Sequence, residues 1–231
     1  MQPKLSIIIP VLNEETMLPK LLNDIQFCKR NLNFSLECII VDGGSDDRSF
    51  EVCREYGIAV IRGPRGRGQQ LAYGAQKSTG KVLFFLHADS RILPEHCLNA
   101  VKTVQGNGHI AGGFNLKFDD SHPILKLGEW INKIRFHFTK IFYGDQGIFL
   151  SREHYFESGG FKPQSLFEDV ELSRRLKKMG RVILISPPLI TSSRRFIAGG
   201  VIRTYLKMAS LHILYWVGVS PARLAAWYGK T

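Results

Sequence analysis

The sequence predicts an α/β protein built on a mostly parallel, doubly wound sheet. Short apolar, β-branched runs alternate with segments of helical spacing over residues 5–86. Polar, Gly- and Asp-bearing punctuation follows those runs. Apolar residues make up 44% of a 231-residue chain, enough to bury a full core, so disorder is not the default reading.

Leu5–Val11 is the first buried strand, and residues 15–31 carry helical spacing through Leu18, Leu21, Leu22 and Ile25. Leu36–Val41 is the second strand, ending at Asp42-Gly43-Gly44-Ser45. Ser45 or Asp46 is then placed to cap a helix over 47–56. Ile58–Ile61 is a third strand. A Gly- and Arg-rich loop over 63–68, a helix over 69–79 and a strand over Val82–Leu86 follow, the last ending at His87-Ala88-Asp89. In the second half, Ile110–Phe118, Gly147–Leu150 and Val182–Ile185 read as strands, and 124–140 and 168–179 as helices. Residues 201–217 set Ile202, Tyr205, Leu206, Ala209, Ile213 and Trp216 on one helical face.

In a doubly wound sheet the ligand lies outside the carboxyl ends of the strands. Asn13, Asp42, the 63–68 loop and Asp89 all fall at such ends, so four polar signals share one edge. Gly63-Pro64-Arg65-Gly66-Arg67-Gly68 is neither a Walker loop nor a dinucleotide fingerprint; it is either a phosphate cradle or a solvated basic turn.

The formal charge is +11, and it is unevenly placed. Residues 172–231 hold 11 Lys/Arg and no acid, whereas the rest of the chain balances. An anionic partner near the C-terminus, or simply a soluble basic surface, accounts for that. Cys28, Cys38, Cys53 and Cys97 have no C-x-x-C spacing and read as buried, reduced thiols of a cytoplasmic protein. Neither a signal peptide nor an apolar run of spanning length is expected.

Pro10-Val11-Leu12-Asn13-Glu14, Val41-Asp42-Gly43-Gly44-Ser45-Asp46-Asp47, Leu86-His87-Ala88-Asp89 and Phe167-Glu168-Asp169 occur in that order. The ordered set resembles the family 2 glycosyltransferases of the GT-A fold, and most closely the short single-domain subgroup with a His-Ala-Asp metal motif. Tyr143-Gly144-Asp145-Gln146-Gly147, Gly159-Gly160-Phe161, Thr191-Ser192-Ser193-Arg194-Arg195 and Gly218-Val219-Ser220-Pro221 fit the same subgroup. The resemblance implies a Rossmann-like GT-A domain over 1–195. A basic, amphipathic helical extension over 196–231 packs on that domain or lies at a membrane surface.

It further implies an inverting, metal-dependent transfer from a nucleoside diphosphate sugar to a hydroxyl acceptor. Pro10, Asn13, Glu14, Asp42, Arg67, Gln70, Ala88 and Asp89 fall to the donor nucleotide. Asp89 serves Mn²⁺ or Mg²⁺, hard cations that suit oxygen ligands and offset the leaving diphosphate. His87 stands where an Asp is usual, so it ligates metal, touches phosphate or only packs. Asp169 matches the base position, and Glu168 supports the base or the acceptor; a helix N-terminal acid favoured by the macrodipole is the plain alternative for Asp169. Asp145 and Gln146 match the acceptor and donor-sugar segment, and Arg194 and Arg195 are candidates for the diphosphate. Gly43 replaces a second acid found in several relatives, which leaves the nucleotide base open.

The basic tail beside its aromatic stretch raises an anionic membrane surface and a lipid-linked acceptor as possible partners, against a core helix or a dimer face. A peripheral position at the inner face of the membrane follows from the first. A catalytically silent nucleotide-sugar-binding module is the main competing function. A basic nucleic-acid-binding protein is a weaker one, because no such binding motif is present and no nucleic acid is expected.

Overall fold

A computed structural model describes residues 4–106 and 108–228. The strands are β1 (Leu5–Val11), β2 (Leu36–Asp42), β3 (Ala59–Arg62), β4 (Val82–Phe85), β5 (Ser90–Arg91), β6 (His109–Phe118), β7 (Ile148–Ser151) and β8 (Arg181–Thr191). The helices are α1 (Leu18–Asn31), α2 (Ser49–Glu55), α3 (Arg67–Lys77), α4 (Pro94–Gly106), α5 (Pro123–Thr139), α6 (Arg152–Glu157), α7 (Glu168–Met179), α8 (Arg194–Gly199), α9 (Val201–Trp216) and α10 (Pro221–Tyr228).

All strands form one sheet in the order β3-β2-β1-β4-β7-β6-β8-β5. The first four are parallel, with Leu5 opposite Leu36 and Val11 opposite Asp42. β7 is antiparallel to both β4 and β6, so the second half is mixed. Side chains alternate across the pleat, and the apolar runs therefore bury both faces. Ile7, Ile9, Ile40 and Phe84 point into a core with Leu21, Leu22 and Ile25 of α1. Ile8, Leu83 and Phe85 point the other way, against Leu71 of α3 and Leu172 and Leu176 of α7.

The first four strands and the helices between them lie where the sequence places them, within a few residues. α1 begins at Leu18 rather than 15, because Glu14–Met17 forms a turn in which the Met17 and Leu18 N–H groups donate to the Glu14 carbonyl. Ser45 and Asp46 do not cap α2. Its N-cap is Arg48, which makes no side-chain cap, and Asp47 just before it accepts from Ser49 N through Oδ1 at 2.9 Å. Ser45 and Asp46 knit two strand ends together: Asn13 N donates to Ser45 Oγ and Asp46 N donates to Asn13 Oδ1. The structure adds β5, α4, α6, α8 and α10, and it carries β8 on to Thr191. All four cysteines are free and buried.

The outward turn of α9 departs from a core helix. Leu211 is its one buried residue. Leu211 joins Leu224 of α10 against Ile141, Phe167 and Val170, and Tyr205 packs beside Leu116, Phe118 and Leu125. No helix among the described residues is long and apolar enough to cross a membrane.

Candidate active site

At the carboxyl edge of β1 and β4 opens a cleft of about 710 Å³. Pro10 lies near the end of β1 and Glu14 follows it, Arg67 and Gln70 come from the start of α3, and His87, Ala88 and Asp89 follow β4; all line it. Asp145, Asp169 and Arg195 close it from the second half of the chain. Asn13, Asp42, Gln146, Glu168 and Arg194 are not among its lining residues.

The local chemistry explains those positions. Asp42 is fully buried, and its carboxylate accepts from Gly44 N, Ser45 N and Ser45 Oγ, which shapes the turn after β2. Asn13 has φ 56°, a left-handed conformation its short polar side chain tolerates. Gln70 donates through Nε2 to the carbonyls of Val11 and Val41 at 2.8 Å each, tying β1 to β2. A Cβ on Gly43 would lie 3.0 Å from that amide, so the glycine there makes room for Gln70. Glu14 grips Arg194 through both carboxylate oxygens at 2.7 and 2.5 Å, across 180 positions of sequence.

Glu168, 2% exposed, pairs with Arg67. Burial opposes the Arg67 charge, but the carboxylates of Glu168 and Asp169 outweigh it and push its pKa up. Asp169 is buried at the start of α7, whose preceding residue Phe167 is left-handed with φ 62°. Its Oδ2 accepts from Gly144 N and its Oδ1 from Val170 N, both at 2.7 Å. His87 is held well below the ordinary histidine range by burial first, then by Arg67 and Arg195, so its ring is neutral at pH 7. A Cβ on Gly144 would stand 2.6 Å from His87 Nε2 and 3.4 Å from Asp169 Oδ2, so a glycine is required where these two groups converge.

Gly144–Gln146 forms a single 3₁₀ turn. Gln146, 1% exposed, accepts from Tyr143 N at 2.9 Å and fixes the turn from inside. Asp145 Oδ1 is buried with no hydrogen-bond partner. Burial, then the Asp169 charge, pushes its carboxyl up to about 6; Asp89 adds to this and Arg135 opposes it. Burial also raises Asp89, against the charges of Arg195 and Arg194. Three carboxylates thus crowd one cleft with incomplete compensation. Among the described residues no group of three or more His, Cys, Asp or Glu side chains forms a metal cage. An orphaned Asp145 oxygen beside Asp89 nonetheless suits a hard divalent cation, with further ligands coming from a phosphate-bearing substrate.

Sequence reasoning missed the far wall. Thr204, Met208, Leu211 and His212 of α9 and Tyr228 of α10 line the cleft. His212 Nδ1 lies 2.8 Å from the Met208 carbonyl, while its Nε2 is buried without a partner. The spacing of 204, 208, 211 and 212 was a readable second face on α9, opposite the apolar one. Arg135 is also new; its guanidinium stacks 3.6 Å from the Tyr143 ring centroid and donates to the Ile141 carbonyl.

Residues 6–168 match the model of Glycosyl transferase family 2, and the chain belongs to that family. Among curated relatives, it is 35% identical over 105 residues to the 4,4'-diaponeurosporenoate glycosyltransferase of Staphylococcus haemolyticus, covering 42% of this chain and 27% of that protein. It is 31% identical over 165 residues to the undecaprenyl-phosphate 4-deoxy-4-formamido-L-arabinose transferase of Photorhabdus laumondii, covering 67% of this chain and 51% of that protein. The chain thus spans about half or less of the length of these relatives. Its fold is that of the mannosyltransferase PcManGT from Pyrobaculum calidifontis, solved with GDP-Man and Mn²⁺ (TM-score 0.65, 19% identity, 83% of this chain and 57% of that one). It is also that of S. aureus TarS residues 1–349 in complex with UDP (TM-score 0.66, 16% identity, 82% and 60%). The fold is therefore GT-A.

Proposed function

We propose that the protein is an inverting, metal-dependent glycosyltransferase that moves a sugar from a nucleoside diphosphate sugar to a hydroxyl acceptor. The observation that carries this reading is the meeting of Asp89, Asp145 and Asp169 from three separate elements with Arg67 and Arg195 in one cleft at the sheet's carboxyl edge. We place the chain in the subgroup marked by His87-Ala88-Asp89, with residues 1–195 as the catalytic part and 196–231 as an extension.

In this reading the nucleoside lies against Pro10, Asn13 and Glu14, on the turn that Asp42 and Gln70 hold in shape. Asp89 would hold Mn²⁺ or Mg²⁺, which would supply positive charge at the diphosphate. Neutral His87 packs beside Asp169 and Gly144 and orients them. Arg67 and Arg195 meet the phosphate oxygens, and Arg194 joins them when Glu14 turns to the nucleoside. Asp145 contacts the donor sugar, with Gln146 fixing its turn. The acceptor hydroxyl attacks the anomeric carbon opposite the leaving diphosphate, and an Asp169 oxygen takes its proton. Two backbone N–H groups already orient that carboxylate, and Glu168 holds Arg67 beside it. The curated relatives are named for undecaprenyl phosphate and 4,4'-diaponeurosporenoate, so a lipid acceptor is the class to search first; a hydroxyl-bearing lipid needs Asp169 as base, whereas a phosphate or carboxylate acceptor is already ionised and does not.

The test is a thermal-shift panel of nucleoside diphosphates and nucleotide sugars with and without Mn²⁺. Ligand at about 100 times its Kd adds about 2.7 kcal/mol, or roughly 5–10 °C for a domain this size. A Mn²⁺-dependent shift for one nucleotide, lost in Asp89→Asn, is expected. A folded sample that shifts with none of them would refute the reading.

A further inference from the structure

Eleven of the seventeen large apolar side chains exposed among the described residues lie on α5, on α9 or at Val217 just beyond it. On α5 they are Leu127, Trp130, Ile131, Ile134 and Phe138, the last 80% exposed. Their spacing is that of a helix face which ordinarily turns into a core. Here the buried residues of α5 are Leu125 and Phe136 instead. On α9 the same holds for Ile202, Leu206, Ile213 and Trp216, set outward by the burial of Leu211. The helices adjoin, for the Tyr205 ring fills the space beside Gly128. All three tryptophans of the chain, Trp130, Trp216 and Trp227, are exposed on α5, α9 and α10.

The exposed charges of these helices are positive, while the half-buried Glu129 of α5 accepts from Phe118 N. Lys126 and Lys133 flank the α5 stripe, Arg203 flanks that of α9, and Arg223 sits on α10; all are exposed. The Arg174 guanidinium lies 4.2 Å from the Trp216 ring centroid. Residues 172–231 contain no acid at all.

We propose that the outer faces of α5 and α9 form a docking surface for an anionic lipid bilayer, which the protein binds without crossing. The stripes bury at the boundary of headgroup and acyl chain, the tryptophans sit at the interface, and the cations meet anionic headgroups. A second copy of the chain fits less well. A two-fold dimer apposes one patch to itself, which brings the cations of one patch, Lys126, Lys133 and Arg203, towards the same set on the other copy. The docked helix also walls the cleft: Thr204, Met208, Leu211 and His212 line it from the inner face of α9. About one helix diameter, roughly 10 Å, then separates the cleft from the bilayer.

Flotation of the full chain with vesicles of phosphatidylglycerol and phosphatidylcholine tests this, beside phosphatidylcholine alone. The protein is expected to float with the anionic vesicles, with a blue shift of tryptophan emission. Combined Leu127→Ser, Trp130→Ser, Leu206→Ser and Trp216→Ser should lower vesicle affinity at least about tenfold, since each removes apolar area from the contact. These positions are exposed, so the melting temperature should hold. As a second variant, Lys126→Glu with Lys133→Glu and Arg203→Glu should lose the preference for anionic lipid. Absence of flotation by the unaltered chain overturns the proposal, and so does equal flotation of both variants. A concentration-dependent dimer, abolished by the serine substitutions and accompanied by no vesicle binding, overturns it in favour of a second copy. None of these readouts requires transferase activity.

Discussion

The Oδ1 atom of Asp145 is buried without a partner, and burial with the neighbouring Asp169 charge pushes its carboxyl up to about 6. Between the ordinary value of 3.8 and about 6 the folded protein holds a proton that the unfolded chain has lost. Stability therefore falls as pH rises through that window and stays lower above it. Asp145→Asn removes the penalty. In the metal-free protein it should add about 1–3 kcal/mol at pH 8 and little near pH 4, read by urea unfolding at the two pH values. A loss at pH 8 would mean that the charge is already compensated. Gly144→Ala is a second case. Its methyl would crowd His87 Nε2 at 2.6 Å and displace the turn that orients Asp169. A shift of ~1 Å at a reacting group costs on the order of 100-fold, so kcat should fall by about that much while the Tm stays within a few degrees. At this scale the sequence was informative where a motif carried the residue, as with Asp89 and Asp169. It was silent on partners formed across long separations. Nothing near Glu14 foretells Arg194, and nothing near Gly43 foretells that Gln70 needs its space.

Two contacts hold the elements around the cleft. Arg67 at the start of α3 pairs with the buried Glu168 at the start of α7. Arg67→Met leaves that carboxylate without its cation, and breaking such a pair costs about 3 kcal/mol or more. Adding Glu168→Gln should recover part of this, as a double-mutant cycle in urea would measure. Leu211, 2% exposed, is the residue by which α9 enters the core. Leu211→Ala should cost about 2–4 kcal/mol if α9 unfolds with the domain. A cost near zero would mark α9 as separately unfolding, and the cleft wall with it. Elements were legible where burial is uniform: β1, β2 and β4 are nearly unbroken apolar runs. α4 escaped because His96 and Thr103 occupy buried positions that an apolar count passes over. β8 was cut short because Pro187 and Pro188 interrupt its pattern, although the strand continues beyond a register shift against β6.

The charge of the whole molecule is lopsided, near balance over residues 1–171 and +11 over the rest. Such a field alone draws any polyanion, nucleic acid included, and salt releases it. The apolar stripes of α5 and α9 add a term that salt does not screen, because burial of hydrocarbon is not electrostatic. The two anions should therefore separate in one titration. A random oligonucleotide that binds at low ionic strength is expected to be lost as salt rises from ~50 to ~200 mM, by a factor that grows with the number of phosphates contacted. Vesicle binding should weaken over the same range, since the cations contribute, and then level off at a residual set by the stripes. Combined Trp130→Ser and Trp216→Ser should lower that plateau and leave the oligonucleotide curve unchanged. Parallel loss of both ligands, with no plateau, would reduce the C-terminal region to a diffuse basic surface. A plateau for vesicles alone would assign the charge to approach and the tryptophans to attachment, with the cleft wall of α9 between the bilayer and the three aspartates.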